Sequence, residues 1–140
     1  MTAPGTRLLA RDPGDVIALR KGRAVTAAEF LAHVGGLAQA LPDAGAIINI
    51  CEDRYHFLIG FAAALTRGLA TLLPPNALDR TVDIIHRGWP GSRVLLDVPG
   101  RRLDAPMVFM DSSTSGSSDN PEVPGGTLAA VALTSGTTGS

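Results

Sequence analysis

The densest chemistry in the chain sits in seven residues, Thr134-Ser135-Gly136-Thr137-Thr138-Gly139-Ser140, which contain only Gly, Ser and Thr. They follow an apolar run, Leu128 to Leu133. Glycine has no Cβ, so a backbone carrying it can come close to a phosphate. A short loop leaving a strand can converge its N–H groups on an anion. The hydroxyls of Thr134, Ser135, Thr137 and Thr138 can each donate a further hydrogen bond. These are the needs of a polyphosphate cradle. The run is not a Walker A loop, because the spacing differs and the lysine is absent, and it is not a Rossmann glycine fingerprint. A polar tail or linker remnant has the same composition, and that plain reading stands beside the functional one.

No other cluster points as clearly to chemistry. His33, His56 and His86 have no helical ligand spacing, and Cys51 is the single cysteine, so no metal site and no internal disulfide are expected. Cys51 closes the apolar run Ile47-Ile48-Asn49-Ile50 and reads as a buried core thiol. His56 stands beside Phe57 in a strongly apolar segment and reads as a half-buried, hydrogen-bonded histidine. Asp79 and Asp83 share a helix face at i, i+4, which solvated acids commonly do. Ser112 to Ser118 is rich in hydroxyls but lacks a G-x-S-x-G elbow. Trp89-Pro90 reads as a packing anchor in a turn, and Arg101-Arg102 as solvated surface. No catalytic residue can be named.

Composition sets outer bounds. A chain of 140 residues that is 45% hydrophobic suits one domain with a real core. A net charge of -1 leaves no long-range field to draw in nucleic acid or anionic lipid. Met1 to Arg11 lacks the apolar run of a signal peptide, and the nearly uncharged apolar stretch Tyr55 to Leu65 is too short to span a bilayer. The expectation is a cytoplasmic protein with no membrane and no nucleic-acid partner.

The elements that must position the terminal loop alternate in type. Val16 to Leu19 and Ala24-Val25 form a hairpin through Lys21-Gly22-Arg23. Thr26-Ala27-Ala28-Glu29 is a capping box opening a helix with Phe30, Val34, Leu37 and Leu41 on one face, ended by Pro42. Ala46 to Cys51 suits a strand covered on both faces. Asp53 caps a helix from Arg54 to Arg67, stopped at Gly68. Leu69 to Leu73 is a strand, and Asn76 caps a third helix carrying Leu78, Val82 and Ile85. Arg93 to Leu96 and Met107 to Met110 are strands. Residues 111–126 are rich in Ser, Gly, Pro and Asp and are expected as a flexible surface loop. Strands alternating with helices argue for an α/β domain with a mostly parallel sheet.

With these elements in place, Leu133-Thr134-Ser135-Gly136-Thr137-Thr138-Gly139 closely resembles the phosphate-binding signature of the adenylate-forming superfamily. That superfamily comprises acyl-CoA synthetases, aryl-acid CoA ligases, luciferase-like enzymes and the adenylation domains of peptide synthetases. Its signature reads T-S-G-[ST]-T-G after apolar residues, and typically continues to Pro-Lys. Val16 to Leu41 and Ile47 to Pro75 are also similar in pattern to its opening hairpin, helix and strands.

The resemblance implies that Thr134, Ser135, Gly136, Thr137, Thr138 and Gly139 hold ATP phosphates. It implies a ligase that turns a carboxylic acid into an acyl-adenylate, then passes it to a thiol of coenzyme A or of a phosphopantetheine on an acyl carrier protein. Mg²⁺ is the expected companion of ATP. Residues 1–140 would then be an N-terminal part of the AMP-binding domain, with the loop at 134–140 cut short and the chain inactive alone. Lost sheet partners would favour self-association. The alternatives are a non-enzymatic α/β interaction module with a Gly/Ser/Thr-rich end, and, more weakly, an aberrant P-loop binder. A phosphate site requires Leu128 to Leu133 to pair as a strand.

Overall fold

A computed structural model describes residues 6–7, 16–20, 23–43, 45–110, 122–123 and 130–132. The hairpin pairs β2 (Val16–Arg20) with β3 (Arg23–Thr26) antiparallel, with an irregularity between Val16 and Ala18. It leads into α1 (Ala27–Ala40), whose N-cap Thr26 accepts from the Glu29 amide through Oγ1 at 3.2 Å. Phe30, Val34, Leu37 and Leu41 are buried, as their spacing predicts.

Five parallel strands form the main sheet, in the order β7-β6-β4-β5-β9. These are β4 (Ala46–Asn49), β5 (Ala70–Leu73), β6 (Arg93–Leu96), β7 (Met107–Phe109) and β9 (Ala130–Ala132). Central β4 is buried at all four residues, as expected of a strand covered on both faces. One face carries Ile47 and Leu95 and packs under α1 and under α2 (Arg54–Thr66) through Phe30, Leu37, Ile59 and Ala63. The other carries Ile48, Leu72, Val94 and Leu96 under Val82 and Ile85 of α3 (Asp79–Gly88).

Helix ends are tied by side chains. The Arg67 guanidinium donates to the carbonyls of Ala38 and Leu41 at 2.7 and 2.6 Å, and pairs with Asp43 at 3.0 Å. It thus places a cation at the orphan carbonyls ending α1. Gly68, with φ of 70°, stops α2 as expected.

Some expectations are corrected. Asn76 does not cap α3: its Oδ1 accepts from the Leu78 amide two residues on, a local turn, and the helix begins after Leu78 without a side-chain cap. Arg101 is not merely solvated. It pairs with Asp79 and donates to the Ala77 carbonyl, while Asp83 accepts from the Asp104 amide at 2.9 Å. The acidic pair of α3 therefore straps residues 101–104 to that helix. Trp89 is no buried anchor; it is 37% exposed. Within the stretch expected as a loop, β8 (Glu122–Val123) pairs antiparallel with β1 (Thr6–Arg7). Most of 111–126 lies outside the described residues.

Two positions test the packing. A Cβ on Gly60 would stand 2.4 Å from Leu95 Cδ2 and 2.8 Å from Asn49 Nδ2, both locked in the core. Gly60→Ala is expected to lower stability by about 1–3 kcal/mol in urea unfolding, although alanine is the better helix former. The Thr71 hydroxyl is fully buried with no hydrogen-bond partner. Thr71→Val keeps the β-branched shape, removes the orphaned group, and is expected to raise stability by roughly 1 kcal/mol in the same measurement.

Candidate functional site at the carboxyl edge of the sheet

The chain leaves β4 at Asn49 and turns at once into α2. The turn is held by side-chain acceptors. Asn49 is 3% exposed; its Nδ2 donates to the Phe57 carbonyl at 3.1 Å and its Oδ1 accepts from the Cys51 amide at 3.1 Å. Asp53 Oδ1 caps α2 by accepting from the amides of Tyr55 and His56 at 2.8 and 3.1 Å, as the sequence predicts.

Asp97, immediately after β6, does more. Its carboxylate accepts from the Glu52 amide at 2.9 Å, the Asp53 amide at 3.0 Å and His56 Nδ1 at 3.0 Å. An ionised carboxylate has no proton to give, so Nδ1 of His56 is the donor in this pair. The side chain of Asp97 is 6% exposed. Burial pushes its pKa up, but the two amides and His56 outweigh burial and hold it below the ordinary carboxylate value. Sequence reasoning missed Asp97. The available signal was an acid placed directly after a buried strand.

Cys51 is half-buried rather than buried, and lines this edge. Burial, then the charges of Asp97 and Asp53, push its thiol up to about 12, so it is neutral at ordinary pH and no nucleophile. His56 is the half-buried, hydrogen-bonded residue expected. His33 bonds the Tyr55 hydroxyl at 2.7 Å between α1 and α2. His86 bonds the hydroxyl of buried Ser92 at 2.7 Å. These three histidines are engaged in separate contacts. No group of metal-ligating side chains stands together among the described residues.

The predicted strand before the Gly/Ser/Thr run is present: β9 lies parallel to β5, with Leu73 opposite Ala132. β9 therefore ends at the same edge of the sheet as Leu73 and the Asn49–Cys51 turn. Thr134, Ser135, Gly136, Thr137, Thr138 and Gly139 lie outside the described residues. Between the ends of β4 and β5 an open cleft of about 230 Å³ runs from Asn49–Glu52 on one side to Leu73, Pro74 and Asn76 on the other. No helix among the described residues is long and apolar enough to cross a membrane.

No family model and no curated protein matches the chain. Solved structures do. A malonyl-CoA ligase in a ternary product complex with methylmalonyl-CoA and AMP superposes at a TM-score of 0.70 and 28% identity, covering 94% of this chain and 29% of that one. NpsA-ThdA of Klebsiella oxytoca, an artificially fused adenylation–PCP di-domain, gives 0.62 and 18%, covering 86% and 26%. The NpsA N-terminal subdomain from the same organism gives 0.60 and 20%, covering 89% and 36%. These neighbours are adenylate-forming enzymes, and the chain resembles an N-terminal portion of them, spanning about a third of their length or less.

The Asp97 clamp sets an acid dependence. Its folded-state carboxylate holds a proton more weakly than the unfolded one, so the unfolded chain takes up more protons as pH falls. The stabilisation is whole above about pH 4 and is lost below it as Asp97 protonates. Asp97→Asn is expected to cost about 1–3 kcal/mol at neutral pH and to flatten the fall in stability below pH 4, measured by urea unfolding across pH.

Proposed function

We propose that this chain supplies the N-terminal portion of an AMP-forming acid–thiol ligase. The enzyme activates a carboxylic acid with ATP, releases pyrophosphate, and passes the acyl group from the adenylate to a thiol. The observation that carries the reading is the seat of Ala130–Ala132 as a parallel strand beside β5. It supports delivery of the Thr134–Gly139 run to the carboxyl edge of the sheet, where open parallel sheets bind ligands. A non-enzymatic interaction module gives no reason for that placement.

On this reading the amides and hydroxyls of Thr134 to Gly139 take up the negative charge of the β- and γ-phosphates while the carboxylate attacks the α-phosphate. The Mg²⁺ it expects would ride on the triphosphate. No group of three or more metal-ligating side chains stands together among the described residues. The β4–α2 turn, fixed by Asp97, gives the edge a rigid wall. Both thiol acceptors occur among the neighbours, as a CoA complex and as a fusion with a carrier domain, so coenzyme A and a carrier phosphopantetheine are both in scope. The acid is aliphatic or aromatic.

The 140-residue chain is expected to show no ATP–pyrophosphate exchange with any carboxylic acid. A chain extended along its reading frame, through a Pro-Lys closing the loop, is expected to show acid-dependent exchange. Thr137→Val with Thr138→Val in that longer chain should lower the exchange rate by about 10²-fold. Exchange by the 140-residue chain, or an extended chain that neither retains ATP nor exchanges, would overturn the reading.

A further inference from the structure

The cleft between β4 and β5 lies where the chain's crossovers diverge. From β4 the chain passes through α2 on one face of the sheet; from β5 it passes through α3 on the other. Adjacent strands whose carboxyl ends lead to opposite faces leave a crevice between them, and such switch points are where open α/β sheets place ligands. The wall residues come from those two departures: Asn49, Cys51, Glu52 and Phe57 after β4, and Leu73, Pro74, Asn76 and Ala77 after β5.

The chemistry of the crevice is one-sided. On the β4 side its backbone donors are spent inside the protein. The Ile50 amide donates to the Leu95 carbonyl, that of Cys51 to Asn49, and that of Glu52 to Asp97; past β5, that of Leu78 donates to Asn76. Pro74 and Pro75 have no N–H to offer. The nearby N-terminus of α2 is filled by the carboxylate of Asp53. No lysine or arginine lines the walls. What remains is an apolar body (Ile50, Phe57, Leu73, Pro74) and an exposed carboxylate at the rim, Glu52, engaged in no ion pair among the described residues. An anion entering here would face the Glu52 charge with no cation on the walls to offset it.

We propose that this switch-point crevice is a binding site for a small organic amine, its apolar part against Phe57 and Leu73 and its ammonium group at the Glu52 carboxylate. The crevice is built from residues 49–57 and 73–77, and the proposal does not require that the chain bind ATP.

Three probes of one shape test it: benzylamine, benzyl alcohol and benzoate, titrated into the ¹⁵N-labelled 140-residue chain and followed by amide shifts. Benzylamine is expected to shift the amides of 49–52 and 76–78 and to bind roughly tenfold more tightly than benzoate, with benzyl alcohol between them. Glu52→Gln should cut that preference to about two-fold. Ala77→Trp, at an exposed loop position, should abolish the shifts with the melting temperature unchanged. The proposal is overturned if benzoate binds as well as benzylamine, if the shifts map elsewhere, if none of the probes binds, or if Ala77→Trp binds undiminished. Because no nucleotide is present, none of these outcomes bears on the ligase reading.

Discussion

The handedness of strand crossovers is the constraint from which the rest of this molecule follows. A right-twisted parallel sheet accepts crossovers of one hand only. From β4 to β5 the chain moves one way across the sheet, and from β5 to β6 it returns past β4 in the other direction. Two crossovers of the same hand that travel in opposite directions must put their helices on opposite faces. Hence α2 shares its cluster with Ile47 and Leu95, while α3 shares its own with Ile48 and Val94. Central β4 is thereby buried on both sides, which explains its apolar Ala46-Ile47-Ile48. A crevice opens at the carboxyl ends of β4 and β5 because their connections part company there.

That arrangement also creates a polar problem. The backbone leaving a buried strand exposes N–H groups that nothing in the sheet can satisfy. Here they are met by side-chain acceptors: Asn49 for Cys51, Asp97 for Glu52 and Asp53, and Asp53 for the first turn of α2. The solution is rigid, and it leaves the β4 end with almost no donors for a ligand. An anion at this edge must be gripped by groups brought from elsewhere. The glycine- and hydroxyl-rich sequence that follows β9 has the composition for that task. The two ends of the same edge thus differ in chemistry, with spent donors and a free carboxylate at one and a run of unbranched backbone and hydroxyls following the other.

Elements written by neighbours a few residues apart were legible in advance. The hairpin, the Thr26 and Asp53 caps, the stop at Gly68 and the buried β4 depend on spacing, on cap chemistry, or on apolar runs, which the chain carries locally. The start of α3 was misread at Asn76 because its side chain has two local amides to choose from, and the packing of Val82 and Ile85 against the sheet fixes which turn becomes the helix. The two-residue pairing of β1 with β8 has no periodicity to detect.

By itself the sequence determined the α/β class and the parallel character of the sheet, because propensity, period and residue type act over short distances. Only the tertiary structure decided that β9 lies beside β5, that Asp97 ties the turn after β4, that Arg101 holds the start of α3, and that a crevice exists. Each of these joins residues more than twenty positions apart, and their meeting is set by strand order and by the face each crossover takes, which no local pattern encodes.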